Sequence, residues 1–473
     1  MTKIKPGLCN KFENRGERDG GSFDAKTANN GNSIGKVFAE KNVPYLLTNS
    51  KSYCKIRVRK PELLLPAGSL TKLKTVILYG ADAVYMGVPD LSLRAKSTFP
   101  IEEFEEGISF AKDNGKKVYL TLNLFSHNSD IPKLSGFIKT IKKLKPHGVI
   151  ISDPGVFAYV HKELPKLPIH ISTQANVCSA LTVDFWKSMG ASRCVLGREV
   201  SFKEALEIRK KCKAIELEIF VHGAMCISYS GRCLMSAFMA SRSANSGACA
   251  YSCRWKYKSK LVLEEETRPN QYFTLEEDNK GSYVFNSKDL CLISKLGKIF
   301  SAGFSSLKIE GRTKSEYYAA QVTRVYRKAI DDYFLAPKKW SPDIYINELL
   351  TLQNRGYTEG FFDGPPTRES QEYNNCASKS EWSNCGFVRK NNGECITLEI
   401  KHKLSKNDEI ELLSPYRFEP YKLTLNNIVL AGGNKIVESI SPGRSNQSIK
   451  IYLPKSDAKL FPVYSVARVK LNQ

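Results

Sequence analysis

The stretch PELLLPAGSLTKLKTVILYGADAVYMG, residues 61–87, reads as a strand, a helix and a second strand. ELLLPAG (62–68) and DAVYMG (82–87) are short apolar runs, and SLTKLKTVILYG between them is amphipathic. The unit recurs. Further runs are KVYLTLN (117–123), GVIISDPG (148–155), IHISTQA (169–175), RCVLGRE (193–199), ELEIFVHG (216–223) and SLKIEGR (306–312). Helix-like stretches such as SFKEALEIRKKC separate most of them. Strands alternating with helices imply right-handed crossovers and a parallel sheet. Eight such strands point to an α/β chain of the (β/α)8 barrel type, and no GxGxxG argues for an open dinucleotide-binding sheet.

Outward from this repeat, residues 224–286 interrupt it after the seventh strand, far beyond the ~2–6 residues of an ordinary βα loop. TKSEYYAAQVTRVYRKAIDDYF reads as the closing helix, a second helix follows near 343–354, and RGYTEGFFDGPPT is a Gly/Pro-rich connector. From about residue 383 short alternating strands (GFVRK, CITLEIK, DEIELLS, YKLTLNNIVL, SIKIYLP, YSVARVKL) predict a small all-β barrel. The expected organisation is therefore a disordered basic extension (1–60), the barrel with its Cys-rich loop (61–340), a helix and connector (341–382) and the C-terminal β domain (383–473). Residues 1–60 hold 13 Lys/Arg against 5 Asp/Glu and show little periodicity.

The whole chain has 473 residues and 71 Lys+Arg against 48 Asp+Glu, a net charge of +23. Such charge attracts polyanions, nucleic acid above all, although scattered solvated lysines would give the same total. No run reaches the ~18 apolar residues of a membrane span, and no secretory leader is visible. The expectation is a cytoplasmic protein whose 13 cysteines are reduced or metal-bound; an odd number also fits poorly with a fully paired disulfide scaffold.

Active sites on such barrels lie at the C-terminal ends of the strands. Those ends carry Asn123, Asp153, Gln174, Asn176, Arg198, Glu199, His222, Glu310 and Arg312. Ordinary turn chemistry accounts for Asp153-Pro154-Gly155 and less well for the others. Four cysteines, Cys226, Cys233, Cys249 and Cys253, fall in the long loop, in HGAMCISYSGRCLMS and GACAYSCRW. Thiolates suit iron–sulfur clusters or zinc, and the spacing is looser than the CxxC pairs structural zinc prefers. Cys291 is the nearest spare ligand. A competing reading makes Cys226 a nucleophile with His222 as its base. There is no HExxH and no GxSxG.

The segment EIFVHGAMCISYSGRCLMS resembles the signature of peptidase family U32, the collagenase-like group. The opening PELLLPAGSLTKLKTVILYGADAVYMG and the closing SLKIEGRTKSEYYAAQVTRVYRKAIDD resemble it too. GACAYSCRWKY, YVFNSKDLC and RGYTEGF are similar to a subgroup of that family that modifies tRNA. That resemblance implies hydroxylation of the wobble uridine at C5, giving 5-hydroxyuridine without molecular oxygen. It also implies prephenate as the small anionic co-substrate, and a 4Fe-4S cluster on Cys226, Cys233, Cys249 and Cys253. On this reading His222, Glu310 and Gln174 are the expected catalytic groups. Arg198, Arg312, Asn123 and Asn176 are the expected substrate-binding groups, the arginines because a guanidinium fork matches a carboxylate. The alternatives are a peptidase using Cys226 with His222, and a zinc-stabilised RNA-binding scaffold.

Overall fold

The computed structural model describes residues 59–88, 92, 100–226, 228, 233, 235–240, 242, 249–254, 263–264, 272–273, 277–278, 281–282, 287–365, 370, 380–443 and 447–471. The basic extension expected over 1–60 lies almost wholly outside them.

The first βαβ unit forms as its sequence suggests: β1 (Glu62–Ala67), α1 (Leu70–Leu78) and β2 (Ala83–Gly87). Ser69 caps α1, its hydroxyl accepting from Lys72 N at 3.2 Å. The Asp82 carboxylate accepts from Leu63 N at 3.0 Å and ties the start of β2 to β1. The repeat continues through α2 (Ile101–Asp113), β3 (Lys117–Leu122), α3 (Ile131–Leu144) and β4 (Gly148–Ile151). Next come α4 (Pro154–Glu163), β5 (Ile169–Ile171), α5 (Ala180–Ser188), β6 (Arg193–Val195), α6 (Phe202–Lys211) and β7 (Glu216–Ala224). Asp153 caps α4 with Pro154 behind it, so the turn reading of Asp153-Pro154-Gly155 holds.

Among the described residues the long loop carries α7 (Met235–Ala240) and the two-residue strands β8 (Leu263–Glu264), β9 (Tyr272–Phe273), β10 (Glu277–Asp278) and β11 (Gly281–Ser282). It returns as β12 (Asp289–Cys291), antiparallel to the end of β7. Then α8 (Leu296–Ala302), β13 (Ser306–Ile309) and α9 (Glu316–Leu335) complete the barrel. β13 pairs in parallel with both β1 and β7, which closes an eight-stranded parallel barrel. α10 (Asp343–Leu350) and β14 (Tyr357–Thr358) follow, β14 lying parallel to β12.

The strand period of two sorts side chains between two cores. Leu63, Leu65, Val84, Met86, Val118 and Leu120 face the helices in the large core. Leu64, Ala83, Tyr85, Tyr119 and Ile150 form a separate cluster within the barrel. Below it the interior is ionic. Buried Glu218 binds Arg193 Nη1 and Lys308 Nζ, each at 3.0 Å, and Arg193 also reaches Glu62 at 2.7 Å. Burial opposes ionisation of Glu218, but Lys308 and Arg193 hold its pKa down to about 2.

The C-terminal domain is all-antiparallel, with its own core around Val388, Leu398, Leu412 and Ile449. Among the described residues its main sheet has eight strands in spatial order Tyr421–Thr424, Glu409–Leu413, Val466–Lys470, Trp382–Asn391, Cys395–Ile400, Ser448–Tyr452, Ile428–Leu430 and Ile436–Val437, and Leu404–Ser405 pairs separately with Ser439–Ile440. Among the described residues its edges do not pair, so the expected small barrel is a half-barrel sheet. The segment YKLTLNNIVL supplies two strands rather than one. No helix among the described residues is long and apolar enough to cross a membrane.

Candidate functional site

The C-terminal ends of β6, β13 and β2 bring one group of polar side chains together. Arg198, just beyond β6, stacks its guanidinium on the Phe220 ring at 4.0 Å and lies 3.8 Å from Glu310 at the end of β13. Tyr85 of β2 sits on the other side, its hydroxyl 3.3 Å from Glu310 Oε2 and 3.0 Å from the Ile309 carbonyl. Lys308 Nζ lies 4.6 Å from the centre of the Tyr85 ring, connecting this group to the ionic interior. The Arg198 side chain is only 13% exposed, yet its guanidinium makes no hydrogen bond among the described residues. A guanidinium held against a ring with donor atoms still open is a place for an anion.

Arg312 reaches the same rim from β13 but crosses toward β2 and β3. Its Nη1 donates to Thr121 Oγ1 at 3.0 Å and to Ser92 Oγ at 3.4 Å. Gly87 makes the crossing possible, because a Cβ there would lie 2.3 Å from Arg312 Nη1. Asn123 extends this side, its carbonyl accepting from Ser152 Oγ at 3.2 Å. On the β5 side, Gln174 lies in a 3-10 turn and Asn176 ends that turn at φ 57°, its buried Oδ1 without a hydrogen-bond partner among the described residues. These expected residues thus stand on successive strand ends. The sequence reading missed Tyr85, Thr121, Phe220 and Lys308. Their signal was the polar alternation inside strands, visible in SLKIE and ELEIF.

His222 is placed differently. The pairing of β13 with β7 shifts register between Lys308 and Ile309, so Phe220 pairs with Lys308 and His222 with Ile309. The imidazole packs among Tyr318, Tyr326 and Tyr357, with ring centroids 6.0, 5.5 and 5.5 Å away, and Tyr326 Oη is 3.4 Å from its Nδ1. It is 1% exposed. Burial brings its pKa down to about 4; Asp289 opposes the shift and Lys314 adds to it. The ring makes no hydrogen bond to Cys226 among the described residues. This is the environment of a neutral, packed histidine, not of a base beside a nucleophile.

Of the four loop cysteines Cys226 is exposed and Cys233, Cys249 and Cys253 are partly buried. Cys233 leads into α7, and Cys253 lies in the 3-10 turn Ser252–Arg254. Ala250 N donates to Ser236 Oγ at 2.8 Å, joining these two segments, and Tyr251 N points at Cys249 Sγ at 3.4 Å. Amides aimed at sulfur are typical of thiolate-held groups. The donor chemistry therefore fits a soft metal or cluster. Among the described residues no three His, Cys, Asp or Glu side chains converge as a metal set, so ligation requires these segments to draw together. Cys291, by contrast, is buried in the core, and burial pushes its thiol up to about 11.

Comparison with known proteins follows the same lines. The profile described as Peptidase family U32 matches residues 68–372. The chain is 38% identical over 394 residues to "tRNA hydroxylation protein P" of Escherichia coli, covering 75% of this chain and 86% of that one. It is 37% identical over 417 residues to "tRNA hydroxylation protein P1" of Bacillus subtilis, covering 86% and 94%. It is 32% identical over 321 residues to "Collagenase" of Porphyromonas gingivalis, covering 64% and 73%. With a barrel closed by SLKIEGR, a cysteine loop after the seventh strand and a profile match over most of its length, the chain belongs to peptidase family U32.

Proposed function

We propose that this chain is a tRNA-hydroxylating enzyme that places a hydroxyl on C5 of a wobble uridine, with prephenate as the oxygen donor. The observation that carries the reading is the likeness, across most of both chains, to relatives named for tRNA hydroxylation. The open donors of half-buried Arg198 support it, because prephenate offers carboxylates to a guanidinium fork. Arg198 and Arg312 hold the anion from opposite sides of the barrel mouth. Glu310, positioned by Tyr85, orients the Arg198 guanidinium. Asn123, Gln174 and Asn176 supply polar contacts to the unstacked base. An anticodon loop presents such a base at low energetic cost. Cys226, Cys233, Cys249 and Cys253 would hold a 4Fe-4S cluster, which supplies electron transfer when bound. The net charge of +23 suits a polyanionic substrate. His222 stays neutral and packs among Tyr318, Tyr326 and Tyr357.

The peptidase reading has the family label and the collagenase relative in its favour. It needs a base for Cys226, and His222 is engaged with three tyrosines instead. Anaerobically purified protein separates the readings. The proposal expects brown protein that binds tRNA with a steep salt dependence and leaves peptide substrates intact. Colourless protein that cleaves peptides, or colourless protein with stoichiometric zinc, would overturn it.

A further inference from the structure

The connector Arg355–Asp363 has no part in the chemistry above, yet it is built into the barrel at nearly every residue. β14 pairs with β12 in the register Asp289 to Tyr357 and Leu290 to Thr358. β12 in turn pairs with Ala224, Gly223 and His222 of β7. The connector is thus the next strand beside the two from which the cysteine loop leaves and to which it returns. Arg355 and Asp289, both buried, form an ion pair across this ladder. Tyr357 packs on His222 and donates to the Leu349 carbonyl at 2.9 Å. Gly360 has φ 61°, and a Cβ there would lie 3.1 Å from Leu290 Cδ1 and 3.4 Å from Met225 Cε, one residue before Cys226. Lys295 Nζ holds Glu359 and Asp363, each at 3.0 Å, and the Phe362 carbonyl accepts from Phe202 N at 2.9 Å. Glu359, Phe361 and Phe362 also wall a cavity of about 50 Å³ shared with Arg198 and Phe220.

We propose that this strap roots the cysteine loop, with Arg355, Tyr357 and Gly360 acting as positioning residues for the thiol set. A passive tether between domains would leave 355–363 polar and solvated. Here its glycine allows close approach to Met225, and its arginine is buried to hold β12. The proposal rests on the reading that the four thiols bind a metal group, and its test keeps the two apart.

Full-length wild type, Gly360→Val, Gly360→Ala and Arg355→Lys are loaded anaerobically with ferrous iron and sulfide. Bound iron and amide hydrogen exchange of peptides spanning 222–228 are then measured. A β-branched residue at φ 61° strains the strap. Exchange at 222–228 should rise about tenfold in Gly360→Val. Iron retention should fall about tenfold, as when the support of a metal ligand is removed. Arg355→Lys, which keeps the charge without the fork, should fall between. Where Gly360→Val fails to fold, Gly360→Ala carries the same comparison. Unchanged exchange and iron in the folded Gly360 variants overturns the strap. Wild type that retains no iron overturns the thiol reading instead, while the exchange measurement still decides the strap.

Discussion

Arg198 and His222 show how differently two strand-end residues can be used. Arg198 ends in a place where Phe220 and Glu310 fix the guanidinium and no described residue fills its hydrogen-bond donors. Arg198→Lys should therefore weaken use of the anionic donor about ten- to a hundredfold, the worth of a charge-assisted hydrogen bond, and leave folding unchanged. Modification rate against donor concentration measures this; wild-type dependence in the variant would move the anion site elsewhere. His222 is governed by its burial. Its folded pKa of about 4 lies below the ordinary 6.5, so the unfolded chain binds the proton first. Its contribution is complete above pH 6.5 and lost as pH falls toward about 4, roughly 3 kcal/mol in all. Urea unfolding at pH 7.5 and 5.0 should show this loss in wild type and a smaller one in His222→Gln. Equal losses would mean that the imidazole is already protonated when folded. The positions of Asn123, Gln174 and Arg198 at strand ends were legible, because the strands themselves were. The turn of His222 toward the tyrosines was not, because a bulge depends on pairing with β13 and leaves no mark in EIFVHG.

The cysteine loop is the element that sets this barrel apart. Ser236 and Ala250 join its α7 side to its 3-10 turn, while β12 and the strap fasten its root. Its four thiols should behave as one unit. Alanine at Cys226, Cys233, Cys249 or Cys253 should each abolish bound iron, whereas alanine at Cys178 or Cys395 should not. Full iron retention in Cys226→Ala would refute the set. The sequence showed this loop by its length and by thiols too far apart for paired zinc knuckles. It did not show the strap, since RGYTEGFFD has the Gly spacing of a turn and only the ladder with Asp289 makes it a strand. The ionic interior was also overlooked as a layer. Glu218 and Lys308 alternate with apolar neighbours as any strand would, and their meeting inside the barrel follows only from closure of β13 on β7.

Across the whole molecule, the barrel and the half-barrel share one interface. Tyr79 donates to the Leu413 carbonyl at 2.6 Å and accepts from Val466 N at 3.2 Å. Arg468 of the half-barrel binds both Glu348 of α10 and Glu411 of its own sheet. Phe387, Leu413 and Val466 join the barrel's core. Both modules are therefore held as one body, and the strap runs from α10 toward the cysteine loop. Breaking one member of this buried network leaves a charge unpaired. Glu348→Ala should lower the unfolding midpoint of the full chain in urea, and an unchanged midpoint would mean the interface is incidental. The two-module plan was readable from the change of period near residue 383. The interface was not, because Arg468 and Glu348 lie 120 residues apart. Nucleosides of tRNA from cells lacking this protein, complemented with wild type or Cys226→Ala, are compared by mass spectrometry after growth without oxygen. Wild type should restore 5-hydroxyuridine and Cys226→Ala should not; unmodified uridine in cells carrying wild type, or full restoration by the variant, would contradict a cluster-dependent tRNA hydroxylase.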